Sequence, residues 1–123
     1  MKDVPKITVY DLSRFVKEKA GTEKIPGSIL EKEPTAELRP NQRDSDSLPP
    51  YDQLDPVLHA YVEEDLSLEE IVHLGHPRKQ VREILLMVDR NEYKRRQGPP
   101  GLKITTKAFG RDRRLPITNK YTV

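Results

Sequence analysis

The residues best suited to chemistry stand together in Asn91-Glu92-Tyr93-Lys94-Arg95-Arg96-Gln97-Gly98-Pro99-Pro100. Three consecutive cations beside a phenol and two side-chain amides suit the holding of a phosphate or a carboxylate, because ionised partners strengthen a hydrogen bond. Such a cluster needs a rigid support. Upstream, Val81, Ile84, Leu85 and Val88 fall at i, i+3, i+4 and i+7, the spacing of one buried helical face. The polar run follows directly, which predicts a single helix through Gln97 with Arg90, Lys94 and Gln97 as a second stripe. Gly98-Pro99-Pro100 ends it, since proline lacks the N–H and its ring clashes with the preceding turn. A solvated basic helix end, favoured by the macrodipole, fits the same residues.

The elements that must carry this cluster predict a mainly α fold: three to four helices with an irregular loop and a basic tail. Only 34% of the 123 residues are apolar and 6% aromatic, a thin core for this length that invites a partner surface. Residues 1–24 hold a first helix with the stripe Val9, Leu12 and Val16, stopped at Gly21. Met1 stands so close to that helix that it reads as the boundary of an internal fragment. Residues 25–50 form the irregular loop, punctuated by Pro26, Pro34, Pro40, Pro49 and Pro50 and expected to be poorly ordered in isolation. Residues 51–100 form a helical unit. Its first helix runs from Tyr51 to Glu64 with Leu54, Leu58, Tyr61 and Val62 inward, and Pro56 is placed near the start behind Asp55 as cap. Ser67 and Glu70 have the spacing of a capping box for a short helix ending near Gly75. Pro77 opens the long helix. The tail, 101–123, alternates weakly and suggests a short extended segment.

Charge is divided along the chain. Residues 90–123 carry ten Lys/Arg against two acids, a net +8, whereas residues 1–89 carry 12 against 18, a net −6. That asymmetry points to an anionic ligand, a nucleic acid or an acidic surface for the C-terminal part. No apolar run reaches the length of a membrane span. The absence of cysteine excludes disulfides and cysteine zinc sites and suits the cytoplasm. His59, His73 and His76 lack ligand spacing, so no metal is assigned. One functional reading is a helix-turn-helix nucleic-acid-binding module made of Leu68–Leu74 and Pro77–Gln97. Against it, the second helix opens on charges without the Asn or Gln that read base edges, and Glu63, Glu64, Asp65, Glu69 and Glu70 lie close by.

The second reading comes from four motifs in order. These are Lys2-Asp3-Val4-Pro5-Lys6 before a helix, Lys32-Glu33-Pro34-Thr35-Ala36-Glu37-Leu38, Asp89 to Gln97, and Ala108-Phe109-Gly110-Arg111-Asp112-Arg113-Arg114-Leu115-Pro116-Ile117-Thr118. Together they closely resemble the carboxyl-terminal end of the synthetase domain of NAD synthetase, in its glutamine-dependent bacterial form. The resemblance implies the terminal, mainly helical part of an α/β domain of the adenine-nucleotide α-hydrolase type. It implies ATP and Mg2+ as cofactors of the intact enzyme, deamido-NAD as the other substrate, upstream synthetase and glutaminase domains, and a homo-oligomer. The family adenylates the carboxylate of deamido-NAD with release of pyrophosphate, and ammonia then displaces AMP.

By motif position, Lys2 matches a lysine on the ATP phosphates and Thr35 a threonine on ATP. Lys94 matches a lysine on deamido-NAD, and Tyr93 takes the adjoining contact, where shorter members have histidine. Glu37 replaces an aspartate of those members. Read without the resemblance, Thr35 is equally a turn hydroxyl bonded to its own backbone. No Ser-Gly-Gly-x-Asp-Ser phosphate loop and no glutaminase cysteine occur in these residues. No residue here is therefore expected to be catalytic, and the chain alone is expected to be inactive.

Overall fold

The computed structural model describes residues 3–21, 24–35, 39–97, 101–107 and 112, the side chains of residues 92, 95 and 96 excepted. Among these residues the chain is helical, without a strand. Its elements are α1 (Lys6–Ala20), α2 (Gly27–Glu31), a 3-10 turn (Asp44–Asp46), α3 (Tyr51–Val62), α4 (Leu68–His73), α5 (Arg78–Arg90) and α6 (Glu92–Gln97). The mainly α expectation holds, but the helices among the described residues outnumber the three or four expected. The chain divides into two compact units, Pro5–Leu54, and Met1–Val4 with Asp55–Val123.

In the unit Pro5–Leu54, α1 begins behind Pro5, whose ring fixes φ at −55° and whose carbonyl accepts the Val9 N–H at 3.1 Å. It ends where Gly21 turns left-handed at φ 61°, as its position in the sequence predicts. The stripe it carries is not buried, however. Leu12 is 45% exposed and Val16 42%, and no α1 residue is buried. Helical spacing says which side chains share a face, and not what covers that face. A second short helix, α2, follows Pro26 inside the stretch expected to be irregular.

The other unit holds the core. Val57, Ala60 and Val62 of α3, Ile71 of α4, and Val81, Ile84, Leu85 and Val88 of α5 are all buried. Each fully buried aliphatic side chain contributes about 1.5–3 kcal/mol. The α5 face is the one its spacing predicts. On α3 the inward residues differ from expectation: Val57 and Ala60 are buried, while Leu58 and Tyr61 are half-buried. Pro56 also lies inside α3 rather than behind an Asp55 cap. The helix is started earlier, by the Pro50 carbonyl, which accepts the Gln53 and Leu54 N–H groups at 3.0 and 2.9 Å.

Ser67 caps α4 in the predicted capping box, its hydroxyl accepting the Glu70 N–H while the Glu70 carboxylate accepts the Ser67 N–H at 2.8 Å. Gly75, at φ 102°, turns the chain towards Pro77 and α5. The Tyr61 hydroxyl ties α3 to α5 by donating to the Asp89 carboxylate at 3.0 and 3.1 Å. The single helix expected through Gln97 is broken at Asn91. There the side-chain amide donates to the Met87 carbonyl at 2.8 Å, and the backbone leaves the helix at φ −94°, ψ 6°. Asparagine competes for backbone partners in this way and so ends helices. Arg90, Lys94 and Gln97 consequently do not share one continuous cylinder.

Residues 101–107 form no strand. They are held instead by Asp3, which is 7% exposed and accepts from the Ile104 N–H at 2.8 Å and from Thr105. Thr106 donates to Glu63 at 3.2 Å, and Lys107 pairs with Asp65. The motif Ala108 to Thr118 falls, apart from Asp112, outside the described residues.

Candidate functional site

A cleft of about 400 Å³ opens in the unit Pro5–Leu54. Its apolar walls come from Val9 on α1 and from Ile29 and Leu30 on α2, and its polar lining includes Lys6, Tyr10, Lys32 and Thr35. Lys6 sits on the first turn of α1, and Tyr10 follows one turn later. The Lys6 ammonium therefore lies over the Tyr10 ring, 5.3 Å from its centroid. Thr35 closes the cleft on the far side in sequence, on a segment that leaves α2 through the extended residue Lys32.

That segment has no helix of its own, so its order comes from side-chain and backbone ties. Glu33 accepts from the Ser45 hydroxyl and pairs with Arg43 at 3.1 Å. The Asp44 N–H donates to the Pro34 carbonyl at 2.9 Å, directly before Thr35. Thr35 is half-buried in this setting. The cleft thus combines cations and a hydroxyl with an aromatic and aliphatic wall, which suits a ligand having a flat apolar body and an anionic group.

Tyr93 and Lys94 lie in the other unit, on α6. Tyr93 is 55% exposed, and the Lys94 ammonium lies 5.9 Å from its ring centroid. The Lys94 N–H donates to the Asn91 carbonyl at 3.0 Å, so the break at Asn91 also starts the turn that presents both side chains. Lys2 and Glu37 lie outside the described residues. The sequence reading missed Lys6, Tyr10 and Lys32 as companions of Thr35. The spacing of Lys6 and Tyr10 on one helical face was the available signal.

Electrostatics elsewhere are structural. Arg78 at the start of α5 grips Glu69 of α4 with two bonds of 2.6 Å, and this holds the Glu69 carboxyl below its ordinary range. No group of three or more His, Asp or Glu among the described residues is arranged to hold a metal ion. Nor is any helix among them long and apolar enough to cross a membrane.

The cleft sets Lys6 and Lys32 beside Thr35 on a helical scaffold. The chain belongs to the NAD synthase family, whose sequence profile matches residues 1–98. It is 50% identical over 121 residues to glutamine-dependent NAD(+) synthetases of Aquifex aeolicus and Thermotoga maritima, covering 98% of this chain and 21% of each relative. A solved structure, glutamine-dependent NAD+ synthetase from Acinetobacter baumannii in complex with adenosine diphosphate, is 40% identical. It superposes with a TM-score of 0.59 over 99% of this chain and 20% of its own. The chain therefore spans about a fifth of the length of its relatives. The helix-turn-helix reading finds no support in these likenesses, and Arg78, one of the charges that open its second helix, is engaged by Glu69.

Proposed function

We propose that this chain is the carboxyl-terminal part of the synthetase domain of a glutamine-dependent NAD synthetase, within an α/β domain completed by the rest of that protein. The intact enzyme activates the carboxylate of deamido-NAD with ATP, releases pyrophosphate, and amidates the adenylate with ammonia drawn from glutamine. It works in the cytoplasm as a homo-oligomer. In this reading the chain supplies substrate contacts and no catalytic group. Thr35 and Lys2 contact ATP, Lys6 and Lys32 add positive charge beside Thr35, and Lys94 with Tyr93 contacts deamido-NAD. The developing negative charge of acyl activation needs such fixed cations. On this reading Mg2+ accompanies ATP in the intact enzyme, held by groups outside the described residues, which form no metal-binding cluster.

The observation that carries the reading is the position of Thr35 in a cleft that also holds Lys6 and Lys32, within a motif the family resemblance singles out. Thr35→Ala in the complete synthetase should raise KM for ATP about tenfold, the effect of one hydrogen bond to a charged group. An unchanged KM for ATP removes the cleft from the ATP site. The 123-residue chain alone, given ATP, magnesium, deamido-NAD and ammonia, should release no pyrophosphate above background.

A further inference from the structure

Asp44, on the wall of the cleft, is engaged through its N–H, its carbonyl and its carboxylate. Its N–H donates to the Pro34 carbonyl at 2.9 Å, its carbonyl accepts the Ser47 and Leu48 N–H groups at 3.1 and 2.9 Å, and its carboxylate accepts the Tyr51 hydroxyl at 2.6 Å. Tyr51 is the first residue of α3. One residue thus ties together the segment before Thr35, the turn after the 3-10 element, and the start of a helix. The Tyr51–Asp44 bond is half-buried and is made to a carboxylate, which places it among the stronger hydrogen bonds.

We propose that Tyr51 and Asp44 are positioning residues of the ATP cleft: Tyr51 fixes the Asp44 carboxylate, and Asp44 in turn fixes Pro34 and the Thr35 hydroxyl beyond it. This rests on the reading of the cleft as the ATP site. The irregular stretch is on this view a built wall whose register is set from α3. Neither residue belongs to a motif that the family resemblance draws on. The connection is visible only once 34, 44 and 51 are brought together. A positioning role loses orientation rather than a direct ligand contact, so its cost falls on the substrate whose contact is displaced.

The experiment is Tyr51→Phe in the complete synthetase, which keeps the ring and deletes only the hydroxyl. KM for ATP should rise about three- to tenfold, the range of one net hydrogen bond, with KM for deamido-NAD and thermal stability little changed. Asp44→Asn, which retains an acceptor for the Tyr51 hydroxyl, should fall between Tyr51→Phe and the native enzyme. In the complete synthetase, hydrogen exchange of the segment that holds Asp44 should be faster in Tyr51→Phe while that of α5 is unchanged. If Thr35→Ala raises KM for ATP and Tyr51→Phe does not, the positioning role is overturned and the ATP reading stands. If neither moves it, the ATP reading fails and the role fails with it. A uniform loss of stability and of all kinetic parameters in Tyr51→Phe marks a merely structural bond and also overturns the proposal.

Discussion

Thr105 places two donors on one oxygen of Asp3, its N–H at 2.9 Å and its hydroxyl at 2.8 Å, across 102 positions of chain. A third donor, the Ile104 N–H, reaches the same oxygen at 2.8 Å. Asp3→Ala leaves these donors without their acceptor, which costs about 1–3 kcal/mol for a buried group. The amides of Ile104 and Thr105 should then exchange markedly faster, by hydrogen-exchange mass spectrometry or NMR. Protection that persists in the variant means that something other than Asp3 holds this segment.

Stability should be distributed as unevenly as burial. Leu85 is fully buried, and Leu85→Ala should cost about 2–5 kcal/mol in denaturant unfolding of the chain. Leu12 is 45% exposed, and Leu12→Ser should stay within about 0.5 kcal/mol of the native chain. Equal losses at the two positions would place a covering surface over α1.

The two acids at the start of α4 give the fold a definite pH dependence. Glu69 is held below its ordinary value of 4.5 chiefly by its hydrogen bond from Arg78, and Glu70 chiefly by the Ser67 hydroxyl and then by the Ser67 N–H. A carboxylate depressed in the folded state adds stability that is fully present above the unfolded value and disappears as pH falls through the folded one. The unfolding midpoint should therefore drop with pH below 4.5, and more steeply than in a Glu69→Gln, Glu70→Gln double variant. Parallel profiles for the two proteins would assign the acid loss to other carboxylates.

Lys94 is exposed at the start of α6, so its removal should not disturb folding. In the complete synthetase, Lys94→Ala should lower kcat/KM for deamido-NAD by roughly ten- to a hundredfold, since a charge-assisted hydrogen bond contributes about 1.5–3 kcal/mol. Lys94→Arg should recover part of this only if the site accepts a planar fork. Steady-state kinetics at saturating ATP and ammonia decide it. An unchanged value removes Lys94 from the deamido-NAD contact.

The parts legible in the sequence are those governed by local rules. Val81, Ile84, Leu85 and Val88 announce a buried face by spacing alone. Ser67 with Glu70 announces a helix start, and Gly21 a helix end. Asn91 was harder to read, because a helical pattern runs through it and only its side-chain bond to Met87 shows the break. Proline at 56 suggests a first turn, yet the Pro50 carbonyl has already started α3. Thr35 could be found by its motif, whereas its companions Lys6 and Lys32 needed the fold to bring them to one cleft. Asp3 is a motif residue to which the sequence assigns no role, and only a partner 101 positions away shows it to be an anchor.

The short connection at Gly75 has a consequence in time. Its open surroundings and left-handed backbone let α4 and α5 meet by closing only a few residues, and a ten-residue loop closes in about 10–100 ns. Asp3 and Thr105 must instead close nearly the whole chain, at a larger entropic cost before any bond repays it. Assembly of their unit therefore has a fast half and a slow half. In refolding, α4 and α5 should pair before Thr105 reaches Asp3.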